Sequence, residues 1–359
     1  MKLPHMKIQP ILWLCALAGA LANAADIEWE IQRFDGRDYV TLESLAAHYT
    51  FPAPPPFTPS LDPLAPPQTI ELKSESSMFS ATTGGRVVEI NGVRQWLAFP
   101  VRVEEGRVLI SRLDLGKIIE PRLRPERIEG LQPVTTIVLD PGHGGHDKGA
   151  ISRWGYEKDF ALDVALRMRP LLEKQGYKVV LTRASDIFIP LHARPSVANG
   201  IPDSIFVSIH FNSSTTNADA RGFEIFSIAP RGAPATNDGT EVHLRHLREE
   251  PGNAGELASS ALAGTLFHSL LGHVPMVDRG IKHARFAVLR LCERPAVLVE
   301  CGFVSNNAES ALIGSGVWRG QVAEAIVDGV ENYKALAERK LRPKVVADYR
   351  NATAPAAAQ

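Results

Sequence analysis

The sequence predicts an α/β catalytic domain with a central, mostly parallel mixed sheet flanked by helices on both faces, preceded by a small α+β domain. Two observations predict this fold. From Val134 onward, short apolar runs suited to buried strands alternate with helical segments. Before that point, short β-rich stretches are separated by glycine turns and a Pro-rich loop at 51–67. The chain has 359 residues and is 45% hydrophobic, which is enough for two folded domains.

Residues 1–24 are predicted to be a cleaved secretory signal peptide. Two lysines precede an apolar run that is too short to cross a bilayer, and Ala22-Asn23-Ala24 supplies an A-x-A cleavage site. The alternative is an uncleaved membrane anchor, which the lack of a polar stop-transfer flank disfavours. We therefore expect an exported protein of the periplasm or cell envelope, with no stable membrane span after cleavage. Cleavage removes two lysines and no acids, so the formal net charge changes from −1 to −3, which argues against a nucleic-acid partner.

Residues 25–122 are predicted to form the small α+β domain. "GRDYVTLESL" (36–45) and "GRVLISRLDL" (106–115) form a faint repeat, in which a glycine turn leads into a strand and then a short helix. Thr41 and Ser111 are placed to cap these helices, and Asn91-Gly92 predicts a hairpin. The pattern resembles the N-terminal domain of copper amine oxidases, a module also found as a stalk on bacterial exported proteins. We expect it to be a stalk or to bind the cell wall. Residues 123–133 are predicted to be a linker.

The catalytic domain is predicted to cover residues 134–337, and residues 338–359 a flexible tail. The clearest helix covers 157–176, with Gly176 just after its end. The predicted strands are Thr135–Leu139, Tyr177–Leu181, Ile205–Ser208, Glu224–Ile228, Phe286–Leu289 and Ala296–Glu300.

Four residues are candidates for a metal site. His143 and His210 follow predicted strands, Glu300 ends another, and Glu157 stands at the start of the long helix. Since the carboxyl ends of strands in such a sheet meet in one crevice, these residues are expected to lie together. Two histidines and a glutamate form a zinc set with an open fourth position, and Glu300 could carry the proton of an attacking water. A single histidine at a strand end is more often structural, so the prediction rests on the four residues taken together.

Two neighbours of these residues have less certain roles. Asp140 is expected either to hold the loop or to orient His143, although a solvated turn aspartate is an equal alternative. His146 is expected to be a neighbour of the metal site and not a ligand.

The same residues lie in motifs that resemble the zinc-dependent N-acetylmuramoyl-L-alanine amidases of the Amidase_3 type. These motifs are "TIVLDPGHGGHDKGA", "YEKDFAL", "LTRASDIFIPLHAR", "SIHFNSS", "DRGIKHARFAVLR" and "PAVLVECGFVSN". The resemblance implies one Zn²⁺ held by His143, Glu157 and His210, with Glu300 as the catalytic carboxylate. It also implies peptidoglycan as the substrate, cut between N-acetylmuramic acid and L-alanine in wall remodelling or daughter-cell separation, and is compatible with a protein activator. The alternatives are a zinc peptidase cutting within stem peptides and a catalytically inactive wall-binding protein.

Residues 230–253 are an insertion relative to simple members of this family. Some division amidases carry an inhibitory helix in this region, so Glu241, Glu249 or Glu250 is a candidate to approach the metal in a resting state. The competing interpretation is a solvated surface helix or a substrate-side loop.

Six other side chains could have a functional role or a purely structural one. His243 and His246 are interpreted as surface residues. Arg194 and Arg290 are each either contacts for a stem-peptide carboxylate or members of ordinary ion pairs. Cys292 and Cys301 are either one disulfide or two buried core residues, and the buried interpretation is preferred.

Overall fold

A computed structural model describes residues 29–60 and 66–340 of the chain. The predicted signal peptide, and the predicted tail from residue 341 onward, lie outside the described residues. The strands are β1 (Ile31–Phe34), β2 (Arg37–Thr41), β3 (Thr69–Lys73), β4 (Met78–Thr82), β5 (Val87–Ile90), β6 (Val93–Trp96), β7 (Arg102–Glu104), β8 (Arg107–Ser111), β9 (Thr136–Pro141), β10 (Ile151–Ser152), β11 (Gly155–Tyr156), β12 (Lys178–Leu181), β13 (Ser204–Asn212), β14 (Phe223–Ile228), β15 (Asp278–Ala284) and β16 (Ala296–Phe303).

Helices surround these strands, and four single turns of 3₁₀-helix join them. The α-helices are α1 (Leu42–His48), α2 (Arg112–Asp114), α3 (Glu120–Leu123), α4 (Glu157–Lys174), α5 (Ala193–Asn199), α6 (Glu256–His273), α7 (Ala287–Arg290), α8 (Asn307–Gly314) and α9 (Gly316–Ala337). A π-helical turn, Leu115–Ile119, connects α2 to α3, and the 3₁₀ turns are Pro125–Arg127, Thr236–Asp238, Leu244–Leu247 and Pro251–Gly255.

The repeated segments of the N-terminal region fold as the sequence predicts, and they pair with each other. Strands β2 and β8 are antiparallel neighbours in a four-stranded sheet of order β1-β2-β8-β7. The Thr41 hydroxyl accepts a hydrogen bond from the Ser44 N–H and so caps α1. Ser111 does the same for α2 through the Asp114 N–H. The two copies therefore bury one shared core, although the predicted limits of domain and linker stay predictions.

The predicted hairpin at Asn91-Gly92 is also present. Asn91 has φ 53° and Gly92 has φ 81°, the left-handed pair that matches the twist of two antiparallel strands. Strands β5 and β6 close around this turn, with Ile90 opposite Val93.

The main sheet has ten strands in the order β12-β9-β13-β16-β14-β15-β6-β5-β4-β3. Strands β12, β9, β13 and β16 are parallel, whereas β14 is antiparallel to β16 and parallel to β15. The predicted mixed sheet is therefore confirmed, and the carboxyl ends of β9, β13 and β16 lie at one edge. At β15 the sheet continues into the N-terminal hairpins through the pairing of Ile281 with Gln95.

One predicted strand is wrong. Residues 286–289 lie largely within the short helix α7, and the strand of this region is β15, which precedes them. A four-residue apolar run does not distinguish a strand from a buried helical turn, and Val288 and Leu289 are buried here in the helical form.

Helix α4 begins at Glu157 and ends as predicted. Gly176 has φ 89°, its N–H donates to the Glu173 carbonyl, and the Tyr177 N–H donates to the Leu172 carbonyl, which is a Schellman motif. The helix buries Phe160, Ala161 and Val164, whereas Leu166 is 41% exposed.

The insertion at 230–253 lies at the end of the sheet opposite the carboxyl ends of β9, β13 and β16. It follows the end of β14, which is antiparallel to those three strands, so the end of β14 lies where they begin. A Cβ on Gly252 would meet the Leu289 carbonyl oxygen at 2.3 Å, and Glu250 pairs with Arg290, close to the start of β16. The insertion is built from 3₁₀ turns, so the predicted helix is absent from it.

Two further predictions concern cysteines and membranes. Cys292 and Cys301 are both free and buried, which confirms the core interpretation over a disulfide. Across residues 29–60 and 66–340, every helix is too short or too polar to span a bilayer.

Close packing of α6 on α9 depends on Gly329, and this generates a stability prediction. A Cβ at Gly329 would lie 2.6 Å from the Leu266 Cα, so Gly329→Ala should lower the free energy of unfolding by about 1–3 kcal/mol. A Cβ at Gly320, in the same helix, would have only one atom within 4 Å, Nη1 of Arg167 at 3.8 Å. Gly320→Ala should therefore be neutral or stabilise the fold by up to about 1 kcal/mol. Urea unfolding of both variants tests the pair, and equal midpoints would contradict it.

Candidate metal centre

Three side chains from three elements converge at the carboxyl edge of the sheet. His143 lies on the loop after β9, His210 lies on β13, and Glu157 is the first residue of α4. The Glu157 Oε1 atom is 3.0 Å from His143 Nε2 and 2.9 Å from His210 Nδ1. One ligand atom from each residue lies within 4.8 Å of the other two. The structure therefore brings together all three predicted ligands.

The Glu157 carboxylate is buried and held from several sides. Its Oε1 accepts from the Phe211 N–H at 3.1 Å, and its Oε2 accepts from the Ala150 N–H at 2.8 Å. Burial opposes its ionisation, but hydrogen bonds to His143 and His210 outweigh this and hold the pKa of Glu157 below its usual range. The carboxylate is thus fixed in the charged form that binds a cation.

Asp147 orients His143, a role the sequence reasoning did not assign. The Asp147 Oδ2 atom is 2.9 Å from His143 Nδ1, which leaves Nε2 for the metal position. Burial alone would lower the pKa of the His143 imidazole. Its hydrogen bonds and charge interactions with Glu157 and Asp147 raise the pKa by more than burial lowers it, so the net change is upward. Spacing offers a signal for this partner, since Asp147 stands four residues after His143 on the same turn.

The glycines of the loop leave room for the ligands. A Cβ on Gly142 would lie 2.3 Å from His210 Cε1, inside the imidazole ring's contact distance. A Cβ on Gly149 would lie 2.5 Å from Glu157 Oε2, and its φ of 64° is also left-handed. His143 itself has φ 57°, which is uncommon for a residue with a side chain.

Two buried arginines hold the backbone of this loop. Arg194 donates to the carbonyls of Pro141 and His143 at 2.8 and 2.7 Å and pairs with Asp140 at 2.9 Å. Arg183 donates to the carbonyls of Pro141 and Gly142 at 3.0 and 2.7 Å. Arg194 is therefore a member of an ion pair and not a contact for substrate. Asp140 holds the loop through Arg194 and is fully buried, so it neither orients His143 nor stands in solvent.

Glu300 lies beside His210 in the parallel register of β13 and β16 and opposite Glu224 of β14. Its Oε2 atom is buried without a hydrogen-bond partner among the described residues. Burial, then the charges of Glu157 and Glu224, raise the pKa of Glu300 well above its usual range, and Lys282 opposes the shift. An acid in this state can hold a proton as well as release it.

The Glu224 carboxylate beside Glu300 is fully satisfied. It accepts from Asn212 and Arg279, each at 2.8 Å, and from the Lys282 ammonium. Because Arg279 and Lys282 of β15 both face this buried carboxylate, the polar segment that contains them can form a strand in the interior.

The remaining candidates lie away from the metal position. His146 is outside the group of ligand atoms, and its ring packs 4.3 Å from the Phe188 ring. His246 is fully buried and pairs with Asp238, so its interpretation as a surface residue is wrong. His243 is half-exposed. Arg290 forms an ordinary ion pair with Glu250.

The acids of the insertion do not approach the ligands. Glu241 has an 82% exposed side chain, Glu249 pairs with Arg231, and Glu250 pairs with Arg290. All three belong to the opposite end of the sheet, so the proposed resting-state contact is wrong for this arrangement.

A family comparison agrees with this geometry. The profile of the family described as N-acetylmuramoyl-L-alanine amidase, Amidase_3, matches residues 137–332, which is more than half of the chain. The chain belongs to this family. All four predicted site residues lie within the matched range.

Individual relatives carry the same family name. The chain is 35% identical over 230 residues to the N-acetylmuramoyl-L-alanine amidase AmiC of Neisseria meningitidis, covering 57% of this chain and 53% of the relative. It is 32% identical to AmiC of Escherichia coli O6:H1, covering 62% and 58% respectively. The chain thus spans little more than half the length of these relatives.

Two solved structures of proteins with similar names match a little more than half of the chain. An N-acetylmuramoyl-L-alanine amidase from Clostridium difficile 630 is 34% identical, covers 56% of this chain and 97% of that structure, and has a TM-score of 0.47. The catalytic domain of CwlV from Bacillus (Paenibacillus) polymyxa is 33% identical, covers 56% and 98%, and has a TM-score of 0.46.

Steric room at Gly142 generates a prediction for metal binding. In this family member, Gly142→Ala should displace the His210 ring and reduce bound zinc, measured by elemental analysis after dialysis against a weak chelator. Gly116→Ala is the matched control, because its Cβ would meet nothing within 4 Å. Equal zinc content in the two variants would contradict the steric argument.

Asp147 generates a second prediction. Asp147→Asn should weaken zinc binding by about 10–100-fold, because the imidazole of His143 loses the carboxylate that orients it. Competition with a fluorescent chelator measures the affinity. Asp163→Asn, at an ion pair with Arg319 on the outer helices, should leave it unchanged.

Proposed function

We propose that this chain is a zinc-dependent N-acetylmuramoyl-L-alanine amidase that hydrolyses the amide between the lactyl group of N-acetylmuramic acid and L-alanine of peptidoglycan. The observation that carries the proposal is the convergence of His143, Glu157 and His210, with ligand atoms within 4.8 Å of one another. Membership of the Amidase_3 family and the names of its relatives support the choice of substrate bond.

The donor set fits one zinc ion. Two imidazole nitrogens and one carboxylate oxygen are a combination found in catalytic zinc sites, where the fourth position stays open. When bound there, zinc lowers the pKa of a water and polarises a carbonyl oxygen. Within the chain, Asp147 orients one imidazole, and two backbone N–H groups fix the Glu157 carboxylate.

Glu300 is the proposed proton carrier. Hydrolysis adds hydroxide to the carbonyl carbon and a proton to the nitrogen of L-alanine, which otherwise leaves poorly. The unpaired Oε2 of Glu300 can take the proton from the attacking water and return it to the leaving nitrogen. Glu300 must be a carboxylate to accept the first proton, and burial, which raises its pKa, then favours the protonated form that the second transfer requires. Glu224 lies opposite Glu300 in the sheet and pairs with Lys282.

Export and wall location complete the proposal. The predicted signal peptide would direct the mature chain to the periplasm or cell envelope, where peptidoglycan is located. The N-terminal region, with its paired repeats, is proposed to act as a stalk or a wall-binding unit. Dependence on a protein activator stays a prediction.

The reaction and the role of Glu300 can be tested together. The mature protein should release stem peptides with an intact N-terminal L-alanine from purified peptidoglycan, detected by mass spectrometry. Chelation should abolish release and added zinc should restore it. Glu300→Gln should lower the rate by about 10²–10⁴-fold while zinc binding persists, because only the proton carrier is lost.

A matched control comes from the insertion. Glu241→Gln changes an exposed acid at the other end of the sheet and should leave both rate and zinc content unchanged. Peptides cut at another bond would indicate a zinc peptidase. Absence of any product from zinc-loaded protein would indicate a wall-binding protein without this activity.

A further inference from the structure

A cavity lies at the N-terminal hairpins, several strands along the sheet from the metal centre. It has a volume of about 440 Å³ and is enclosed by the hairpins of β4–β6, by α3 and by the outer helices α6 and α9. Thr50, Ser76 and Glu126 are exposed at its rim, so it opens to solvent. This volume is within the range of small-molecule sites.

Arg122 of α3 lines the cavity, and no acidic side chain of the described residues pairs with it. Its guanidinium makes no hydrogen bond and no ion pair with any residue in 29–60 or 66–340, and its Nε is buried. Burial lowers its pKa to about 9, with no carboxylate to oppose the shift. Placing a cation in this position without an anion costs free energy, and such cations are normally paired.

The guanidinium packs directly against α6 at Gly264. A Cβ on Gly264 would lie 2.1 Å from Arg122 Nη1, so the guanidinium would have to move if this residue were alanine. A glycine inside a helix costs about 1 kcal/mol relative to alanine. The present position of the Arg122 side chain therefore uses the space that Gly264 leaves.

Other polar groups near the cavity also have unused hydrogen-bonding capacity. Gln95 is 1% exposed, and neither its Oε1 nor its Nε2 has a partner among the described residues. It lies two residues along β6 from Val93, which lines the cavity, so both side chains point to the same face of the sheet. His283 of neighbouring β15 is buried too, and burial followed by the charge of Arg122 lowers its pKa to about 3.

We propose that this cavity binds a small ligand through a carboxylate that pairs with Arg122. One unpartnered guanidinium balances one negative charge and offers the forked donors that a carboxylate fits. The lining combines polar and apolar side chains, as suits the body of a short peptide. Hydroxyl and amide groups come from Tyr49, Thr50, Ser76, Ser77, Asn91, Thr265 and Asn332, ionisable groups from Arg122, Arg124, Glu126 and His268, and apolar side chains from Ile90, Val93, Leu123, Ala261 and Leu336. The site is independent of the proposed hydrolysis, because its walls contain none of the metal ligands.

The first test is calorimetric titration of the zinc-loaded full chain with acetyl-dialanine, which has a free carboxylate. Its C-terminal amide and inorganic phosphate are titrated alongside. Acetyl-dialanine should bind at millimolar concentration and the amide should not. Phosphate binding without acetyl-dialanine binding would overturn the choice of a carboxylate, and no heat with any probe would show a cavity filled by water only.

Variants assign the binding to this cavity and not to the metal centre. Arg122→Met should reduce affinity by roughly tenfold or more, because it removes a charge-assisted contact. Gly264→Ala should weaken binding while keeping the charge, and Gly272→Ala, in the same helix with nothing within 4 Å of its Cβ, should not.

Thermal unfolding separates loss of the site from loss of the fold. Without ligand, Arg122→Met should unfold at the same or a higher temperature than the parent, since it removes a partly buried charge that no acid among the described residues balances. Acetyl-dialanine should raise the parent's Tm and leave that of Arg122→Met unchanged. Binding that survives Arg122→Met at full strength would place the ligand elsewhere and overturn the proposal.

Discussion

The metal centre depends on how Arg183 and Arg194 hold the loop after β9. Three consecutive carbonyl groups, from Pro141 to His143, accept hydrogen bonds from these two guanidiniums. Because this stretch leaves the sheet and turns sharply, its carbonyls have few backbone partners, and unsatisfied buried carbonyls would be costly. The left-handed conformation of His143 persists for the same reason, since the surroundings fix it from both sides. Asp140 pairs with Arg194 and accepts hydrogen bonds from the hydroxyls of Thr182 and Ser208. These contacts connect the loop to the end of β12 and to β13.

Charge is organised differently on the two sides of the centre. On one side, Glu157 is surrounded by donors and stays ionised, as a ligand must. On the other, Glu300 stands in a row with His210 and Glu224, where a neighbouring carboxylate and burial favour its protonated form. Two glutamates of one site thus differ in proton affinity because of their partners, and the difference matches the roles proposed for them, ligand for Glu157 and proton carrier for Glu300.

The ligands could be predicted from sequence because each stands at a strand end or a helix start, where topology alone brings residues together. Glu157, His143 and His210 required no knowledge of side-chain packing. Asp147 and the loop-holding function of Arg194 were missed, since which carboxylate faces which imidazole depends on the course of a glycine-rich turn. The strand β15 was missed because Asp278, Arg279 and Lys282 look like a solvated segment until Glu224 is seen beside them. The interpretation that brought the insertion to the metal came from the family resemblance, and the antiparallel direction of β14, which contradicts it, cannot be read from the sequence.

The register between Ile281 and Gln95 determines what an isolated catalytic unit would look like. With the N-terminal hairpins removed, β15 would become an edge strand whose N–H and C=O groups face outward unpaired. The indole of Trp96, which donates to the Arg279 carbonyl, and the side chain of Arg94, which donates to the Asp278 carbonyl, would no longer cover it. Exposed edges of this kind recruit strands from other molecules, so a chain without the hairpins is expected to self-associate. The N-terminal hairpins therefore also cover a strand that would otherwise be an open edge of the sheet.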